Sequence, residues 1–173
     1  MAAESALVAI IPEAEAVVGE HRLLLDPSAA HGLSAHVTLL YPFLPPDRID
    51  FEVRRKLNAV AEAQRPFEVS FARTRWFGDE VLWLAPTPDA EFRSLIDALY
   101  GRFPETPPYG GTMEPVPHLT IGARADLAAM RRAEAAVLPQ LPITASIGTL
   151  SLIAWSPEVD SWQLLDEFAL RGR

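Results

Sequence analysis

Cysteine is absent from all 173 residues, which removes disulfides, thiol nucleophiles and cysteine-bound zinc from consideration. Lysine is almost as scarce: among 15 lysines and arginines, Lys56 is the only lysine. An adenylating ligase needs a nucleophilic lysine in a strand–loop setting. Lys56 falls instead in a predicted helix beside Arg54 and Arg55, so ATP-dependent ligation is not expected. Positive charge is short overall, with 15 Lys and Arg against 23 Asp and Glu and a net charge of −8. Affinity for long nucleic acid rests on phosphate neutralisation, so this balance argues against an extended nucleic-acid groove. It leaves open a small phosphorylated ligand or an RNA end, held by a few arginines whose planar guanidinium suits bidentate contact. Long apolar runs are missing as well. Stretches such as Ala6 to Ile11 are far too short to span a bilayer, and no basic segment with a signal-length apolar stretch opens the chain. A cytoplasmic monomer with no membrane partner is expected.

Against these absences stand two tetrapeptides, His36-Val37-Thr38-Leu39 and His118-Leu119-Thr120-Ile121, in opposite halves of the chain. Random placement at this composition gives about 0.1 such tetrapeptides, so the pair carries information that neither copy carries alone. Successive side chains of a strand point to opposite faces. His36 and Thr38 therefore share one face and Val37 and Leu39 the other, and the second copy behaves likewise. Each segment reads as a strand with a buried apolar face and a polar face that offers an imidazole beside a hydroxyl. Two such strands facing one cleft would supply an acid–base pair and two hydrogen-bond donors, enough for phosphoester chemistry without a metal.

The apolar fraction of 49% is ample for one compact core. Ala6 to Ile11 reads as a buried strand, followed by a helix from Pro12 to about Leu25 that Asp26-Pro27 ends. After the first motif strand, Asp50 can cap a helix of about residues 51–64. Strands over about 66–76 and 81–85 form a hairpin turned by Gly78-Asp79. Pro88-Asp89 opens a helix through Phe103, and a loop rich in proline, glycine and tyrosine runs to Pro117. Asp126 caps a helix to about Leu138, Pro142 starts one long strand through Trp155, and a last strand covers about 160–170. The order of motif strand, helix and hairpin occurs twice, with Trp76 and Trp155 each just before a hairpin turn. This weak symmetry predicts an α+β fold of two related lobes of antiparallel sheet plus helices around a central cleft, one motif on each. Residues 1–173 are expected to form a single pseudo-duplicated domain whose lobes can exchange strands.

These residues and their order resemble the 2H phosphoesterase superfamily, defined by two His-x-Thr/Ser motifs, which includes the LigT-like 2′-5′ RNA ligase family of RNA 2′,3′-cyclic phosphodiesterases. The resemblance covers nearly the whole chain and is specific to the superfamily, not to one substrate. It implies a bilobal fold with a water-accessible groove, His36 as general acid, His118 as general base, and Thr38 and Thr120 on the phosphate. The residues themselves do not break the symmetry between the two histidines. Two departures stand out. The RNA phosphodiesterases carry an arginine five residues after the second histidine, where this chain has Ala123 and places Arg124 one residue later. A shift of one residue moves a strand side chain to the opposite face unless the strand bulges or ends. The first motif continues Leu40-Tyr41-Pro42-Phe43, where the RNA enzymes have an aromatic residue, leucine and glycine.

The catalytic candidates are thus His36, Thr38, His118 and Thr120, with Tyr41, Tyr109 and Arg124 as substrate-binding candidates and no cofactor expected. Tyr41 and Tyr109 could stack a nucleobase, although Tyr41 closes an apolar strand and such a residue is more often core. Tyr109, beside Gly110-Gly111, suits a ligand-contacting loop. Arg22, Arg73 and Arg75 join Arg124 as phosphate candidates that the sequence does not rank. His21 reads as structural and His31 as exposed. A metal held by His36 and His118 is the competing use of the pair, but no His-x-x-x-His pair or aspartate cluster accompanies either motif. The expected activity is hydrolysis of a 2′,3′-cyclic or 2′-5′ phosphodiester of a small nucleotide or RNA end. A nucleotide-binding module that turns over little is the alternative.

Overall fold

The computed structural model describes residues 3–173, so Met1 and Ala2 of the expected domain lie outside the described residues. The elements run β1 (Ser5–Ile10), α1 (Glu15–Leu25), α2 (Pro27–Ala30), β2 (His36–Leu40), α3 (Phe51–Ala63), β3 (Phe67–Phe77), β4 (Val81–Thr87) and α4 (Ala90–Arg102). They continue with β5 (Leu119–Ala123), α5 (Leu127–Val137), β6 (Ile143–Ile147), β7 (Thr149–Ser156) and β8 (Ser161–Ala169). Local chemistry sets several of these boundaries. The Asp50 carboxylate accepts from the Val53 N–H at the start of α3, and Asp126 does the same for the Ala129 N–H in α5, both at 2.9 Å. Asp26 ends α1 and caps the single turn of α2, accepting from the Ser28 N–H with Pro27 at the first helical position.

Two four-stranded antiparallel sheets result, in the orders β2-β1-β7-β8 and β5-β4-β3-β6. Each motif strand is the edge strand of its own sheet, and the two edges approach one another. After β2 the chain passes through α3 into β3, in the sheet of the other motif; after β5 it passes through α5 to β6 in the same sheet and crosses to the first sheet only at β7. The expected continuous strand from Pro142 to Trp155 is in fact two strands in two sheets: β6 pairs with β3, and β7 with β1 and β8. The break falls at Gly148, where the apolar alternation slips by one residue. Ile143, Ala145 and Ile147 are buried before it, and Leu150 and Leu152 after it. A slip of one residue reverses which face is apolar, so one continuous strand cannot serve a single core across that point.

Val37, Leu39, Leu119 and Ile121, the apolar partners within both motifs, are at most 2% exposed and belong to one core shared by the two sheets. Burying them fixes the opposite faces of β2 and β5, which carry the histidines and threonines, toward solvent. Gly122 allows β5 to lie close to the helices, because a Cβ there would meet Leu25 of α1 at 3.0 Å and Met130 of α5 at 3.1 Å. No helix among the described residues is long and apolar enough to cross a membrane.

Candidate active site

His36 opens β2 and His118 immediately precedes β5. The Nδ1 of His36 lies 2.8 Å from the Ser34 carbonyl, and the Nδ1 of His118 lies 2.6 Å from the Val116 carbonyl. A carbonyl only accepts, so both rings carry their proton on Nδ1 and are held by the residue two places earlier. The Nε2 atoms are left to take or give a proton. Burial pushes the His36 imidazole down to about 4, and the charges of Arg22 and His118 add to that, while the Ser34 carbonyl and Asp26 oppose it. Burial also lowers His118, against the pull of the Val116 carbonyl. That His36 feels the charge of His118 follows from the meeting of the two edge strands. In the free protein at neutral pH both imidazoles are therefore neutral.

Thr38 and Thr120 are half-buried, and among the described residues neither hydroxyl is hydrogen-bonded to a protein group. Behind them Arg22, only 1% exposed, spends its guanidinium on the protein itself. It donates to the Thr120 carbonyl at 3.2 Å, the Leu33 carbonyl at 3.0 Å, and Asp26 Oδ2 and Ser28 Oγ at 3.2 Å each. Arg22 thus joins the second motif strand to the segment that leads into the first. It is not the free phosphate ligand that its residue type allows. The Ala35 N–H, just ahead of His36, donates to Glu15 on the same helix.

On the first sheet, His36, Thr38 and Tyr41 line one recess of about 160 Å³ with Leu33, Ile153 and Trp162. The Tyr41 hydroxyl donates to Glu4 Oε1 at 2.9 Å, and its ring meets Trp162 edge-on at 6.4 Å. Burial, with the Glu4 hydrogen bond and charge, pushes the Tyr41 phenol up to about 12. Tyr109 belongs to the loop after α4, and its N–H donates to the Tyr41 carbonyl at 2.7 Å. Its own φ is 52°, in the left-handed region that ordinary side chains seldom adopt, and burial raises its phenol. The structure therefore ties Tyr109 to Tyr41 through the backbone.

On the second sheet, the His118 ring stands edge-on to Phe77 at 5.2 Å and Trp83 at 5.8 Å, and those two rings stack at 4.7 Å. Sequence reasoning does not single out Phe77 or Trp83. The alternation Arg73, Arg75, Phe77 along β3 is a signal that places Phe77 on the arginine face, while Trp83, on β4, joins it only through strand pairing. Thr120 pairs with Trp83 and Trp83 with Arg75, so these three side chains form one row on the groove face.

Arg124 does not join this group. The ladder between β4 and β5 bulges beside Thr120 and Gly122, and Ala123 comes to pair with Val81, which pairs with Phe77. Ala123 thereby returns to the groove face. Arg124 lies beyond the strand end with φ 54°, exposed, its N–H donating to the Glu80 carbonyl at 2.7 Å. It lines a shallow recess with Leu24, Pro27 and Ala30, which contains none of the four motif residues. His21 and His31 also stand apart from the quartet: His21 is half-buried on α1, and the Nδ1 of His31 donates to the Asp160 carbonyl at 3.0 Å. Among the described residues no three His, Asp or Glu side chains converge as metal ligands.

Comparison with known proteins agrees with this architecture. LigT of E. coli, crystallised with 3′-AMP, is 18% identical over 96% of this chain and 97% of that one, with a TM-score of 0.65. TT0787 of Thermus thermophilus is 17% identical over 98% of this chain and 99% of that one, with a TM-score of 0.68. At such identities the likeness speaks for the fold. No curated protein sequence matches the chain significantly. The family model described as the 2′-5′ RNA ligase superfamily matches residues 11–158, a span that includes both His-x-Thr strands, and the chain belongs to that superfamily of phosphoesterase and ligase-like enzymes.

Proposed function

We propose that this protein is a metal-independent phosphodiesterase that hydrolyses a 2′,3′-cyclic or 2′-5′ phosphodiester of a nucleotide or RNA end. The observation that carries the reading is the matched anchoring of His36 and His118, which holds both rings through Nδ1 and leaves both Nε2 atoms for proton transfer. In the reaction, one imidazole takes a proton from water as the water oxygen bonds to phosphorus. The other gives a proton to the ribose oxygen as its bond to phosphorus breaks. The resemblance assigns the second task to His36 and the first to His118. Thr38 and Thr120 donate to the nonbridging oxygens, where charge accumulates in the transition state.

Burial keeps both histidines neutral in the free protein, so the acid needs a source of proton affinity. An anionic phosphate placed between the rings favours an imidazolium and supplies it. Binding of substrate then creates the mixed protonation state that the chemistry requires. Tyr41, beside His36 and Thr38, is the aromatic surface for a base or sugar, with Tyr109 buttressing it. Arg124 lines a separate recess that contains none of the four motif residues, which removes the reason to place it on the phosphate. The test is turnover of 2′,3′-cyclic nucleotides by purified protein in EDTA. Tight nucleotide binding with no turnover of any phosphodiester would favour a binding module.

A further inference from the structure

We infer that the substrate carries a second phosphate group, bound on the second sheet by Arg73 and Arg75; this rests on the phosphodiesterase reading for the position of the first. The face of β3 supports it. Arg75 lies in the row Thr120–Trp83–Arg75, two strand spacings from Thr120, or about 10 Å across the sheet. Arg73 follows on the same face at the usual alternation. Together with Arg93, Trp83 and Pro117 they line an open recess of about 750 Å³, and Trp83 and Phe77 in its wall touch the His118 ring.

Among the described residues neither Arg73 nor Arg75 is tied up by a carboxylate of the fold. Arg22, Arg54, Arg55 and Arg93 each have a carboxylate partner. Among the described residues Arg73 and Arg75 have none, and both are exposed. Asp89, the carboxylate that also lines the recess, is engaged by Arg93 at 3.0 Å. Trp83 adds a second sign: it is 6% exposed, and among the described residues its Nε1–H has no acceptor, an uncommon state for a buried donor. In a chain of net charge −8, two unpaired guanidiniums beside one cavity make a local anion site.

The other end of the groove has the opposite character. A recess of about 600 Å³ continues from the His36 side through Leu33, Ile153 and Trp162; among the described residues its charged groups are Glu13 and Glu167, with no arginine or lysine. A phosphate there would meet like charge. The groove thus orients its ligand, with the uncharged base over the first sheet and the additional phosphate over the second. A nucleoside cyclic phosphate bearing a 5′-phosphate, or an RNA end whose next phosphodiester lies one residue away, has this shape.

The experiment compares adenosine 3′,5′-bisphosphate with 3′-AMP by titration calorimetry, for wild type and the Arg73→Ala, Arg75→Ala double variant at one salt concentration. Charge-assisted contacts to phosphate predict that wild type binds the bisphosphate at least about tenfold more tightly. The double variant should lose that preference while its affinity for 3′-AMP stays within about threefold. Equal wild-type affinities, undetectable binding of the bisphosphate, or equal weakening toward both ligands in the variant would overturn the inference. Turnover of adenosine 2′,3′-cyclic phosphate with and without a 5′-phosphate is measured in parallel. A binding preference with no turnover of either removes the phosphodiesterase reading and leaves the anion site. Turnover without a preference removes the anion site alone.

Discussion

The buried guanidinium of Arg22 donates from Nε to the main-chain carbonyl of Thr120, in the second motif, while its NH1 holds the carbonyl of Leu33 just ahead of the first. One side chain on α1 therefore fixes the relative position of two segments far apart in sequence, and with them the two histidines. Asp26, 6% exposed, balances its charge.

Replacing Arg22 with alanine leaves Asp26 buried without its cation and two carbonyls without a donor. Removing one partner of a buried ion pair costs about 3–5 kcal/mol, and urea denaturation should show a loss of that size. The Arg22→Ala, Asp26→Ala double variant should lose less than the sum of the two single changes, since the residues are in contact. A loss below about 1 kcal/mol for Arg22→Ala would show that the guanidinium does not join the motifs energetically.

Stability should fall as the solution is acidified. His36 has its folded value lowered from 6.5 to about 4, so between those values the unfolded chain holds a proton that the folded protein does not. The stabilisation is complete above about pH 6.5 and is lost progressively as pH falls toward 4. His118 is lowered in the same sense and adds to the slope. Midpoints of urea unfolding measured across this window should decline for wild type and decline less for His36→Gln. Identical slopes would mean that the His36 ring is not protected from protonation in the folded state.

Activity should have different pH limits in the free and bound enzyme. The ratio kcat/KM reports groups in the free protein and kcat those in the complex. An anionic phosphate between the rings raises their proton affinity, so the alkaline limb of kcat should lie at higher pH than that of kcat/KM. Both limbs describe the coupled pair and not a single histidine. Superimposed profiles would indicate that the bound phosphate does not supply the acid's proton affinity.

Gly122 offers a packing test independent of the chemistry. A methyl group there meets Leu25 and Met130 at 3.0–3.3 Å, closer than a relaxed core allows. Gly122→Ala should cost about 1–3 kcal/mol in thermal or urea unfolding, the usual size for overpacking. An unchanged midpoint would show that α1 and α5 can retreat from β5 without loss.

Much of this arrangement is legible in the sequence because it depends on alternation. The apolar residues inside each motif specify which face of β2 and β5 is buried, and that alone aims His36, Thr38, His118 and Thr120 outward. Asp50 and Asp126 mark the helices over 51–63 and 127–137 by capping chemistry that acts within one turn. The segment around Gly148 reads as one long strand, although the change from odd to even apolar positions is visible in the residues. Arg22 and Arg124 escape sequence reasoning for a different reason. Burial of one guanidinium and the left-handed turn at the other depend on tertiary contacts, which residue type does not encode. Phe77 and Trp83 reach His118 only through strand pairing, and their relation to it requires the register of β3, β4 and β5.

On the proposed reading, the two anchored imidazoles of His36 and His118 perform the chemistry without a metal. The direct measurement is the rate of hydrolysis of a 2′,3′-cyclic nucleotide in excess EDTA by wild type, His36→Ala, His118→Ala, Thr38→Ala and Thr120→Ala. Wild type should remain active. Each histidine variant should lose at least about 10²-fold in turnover and each threonine variant about 10- to 100-fold, because a neutral donor contributes less than a proton-transfer group. Activity that EDTA abolishes and a divalent ion restores, or that survives intact when both histidines are replaced, would contradict the account.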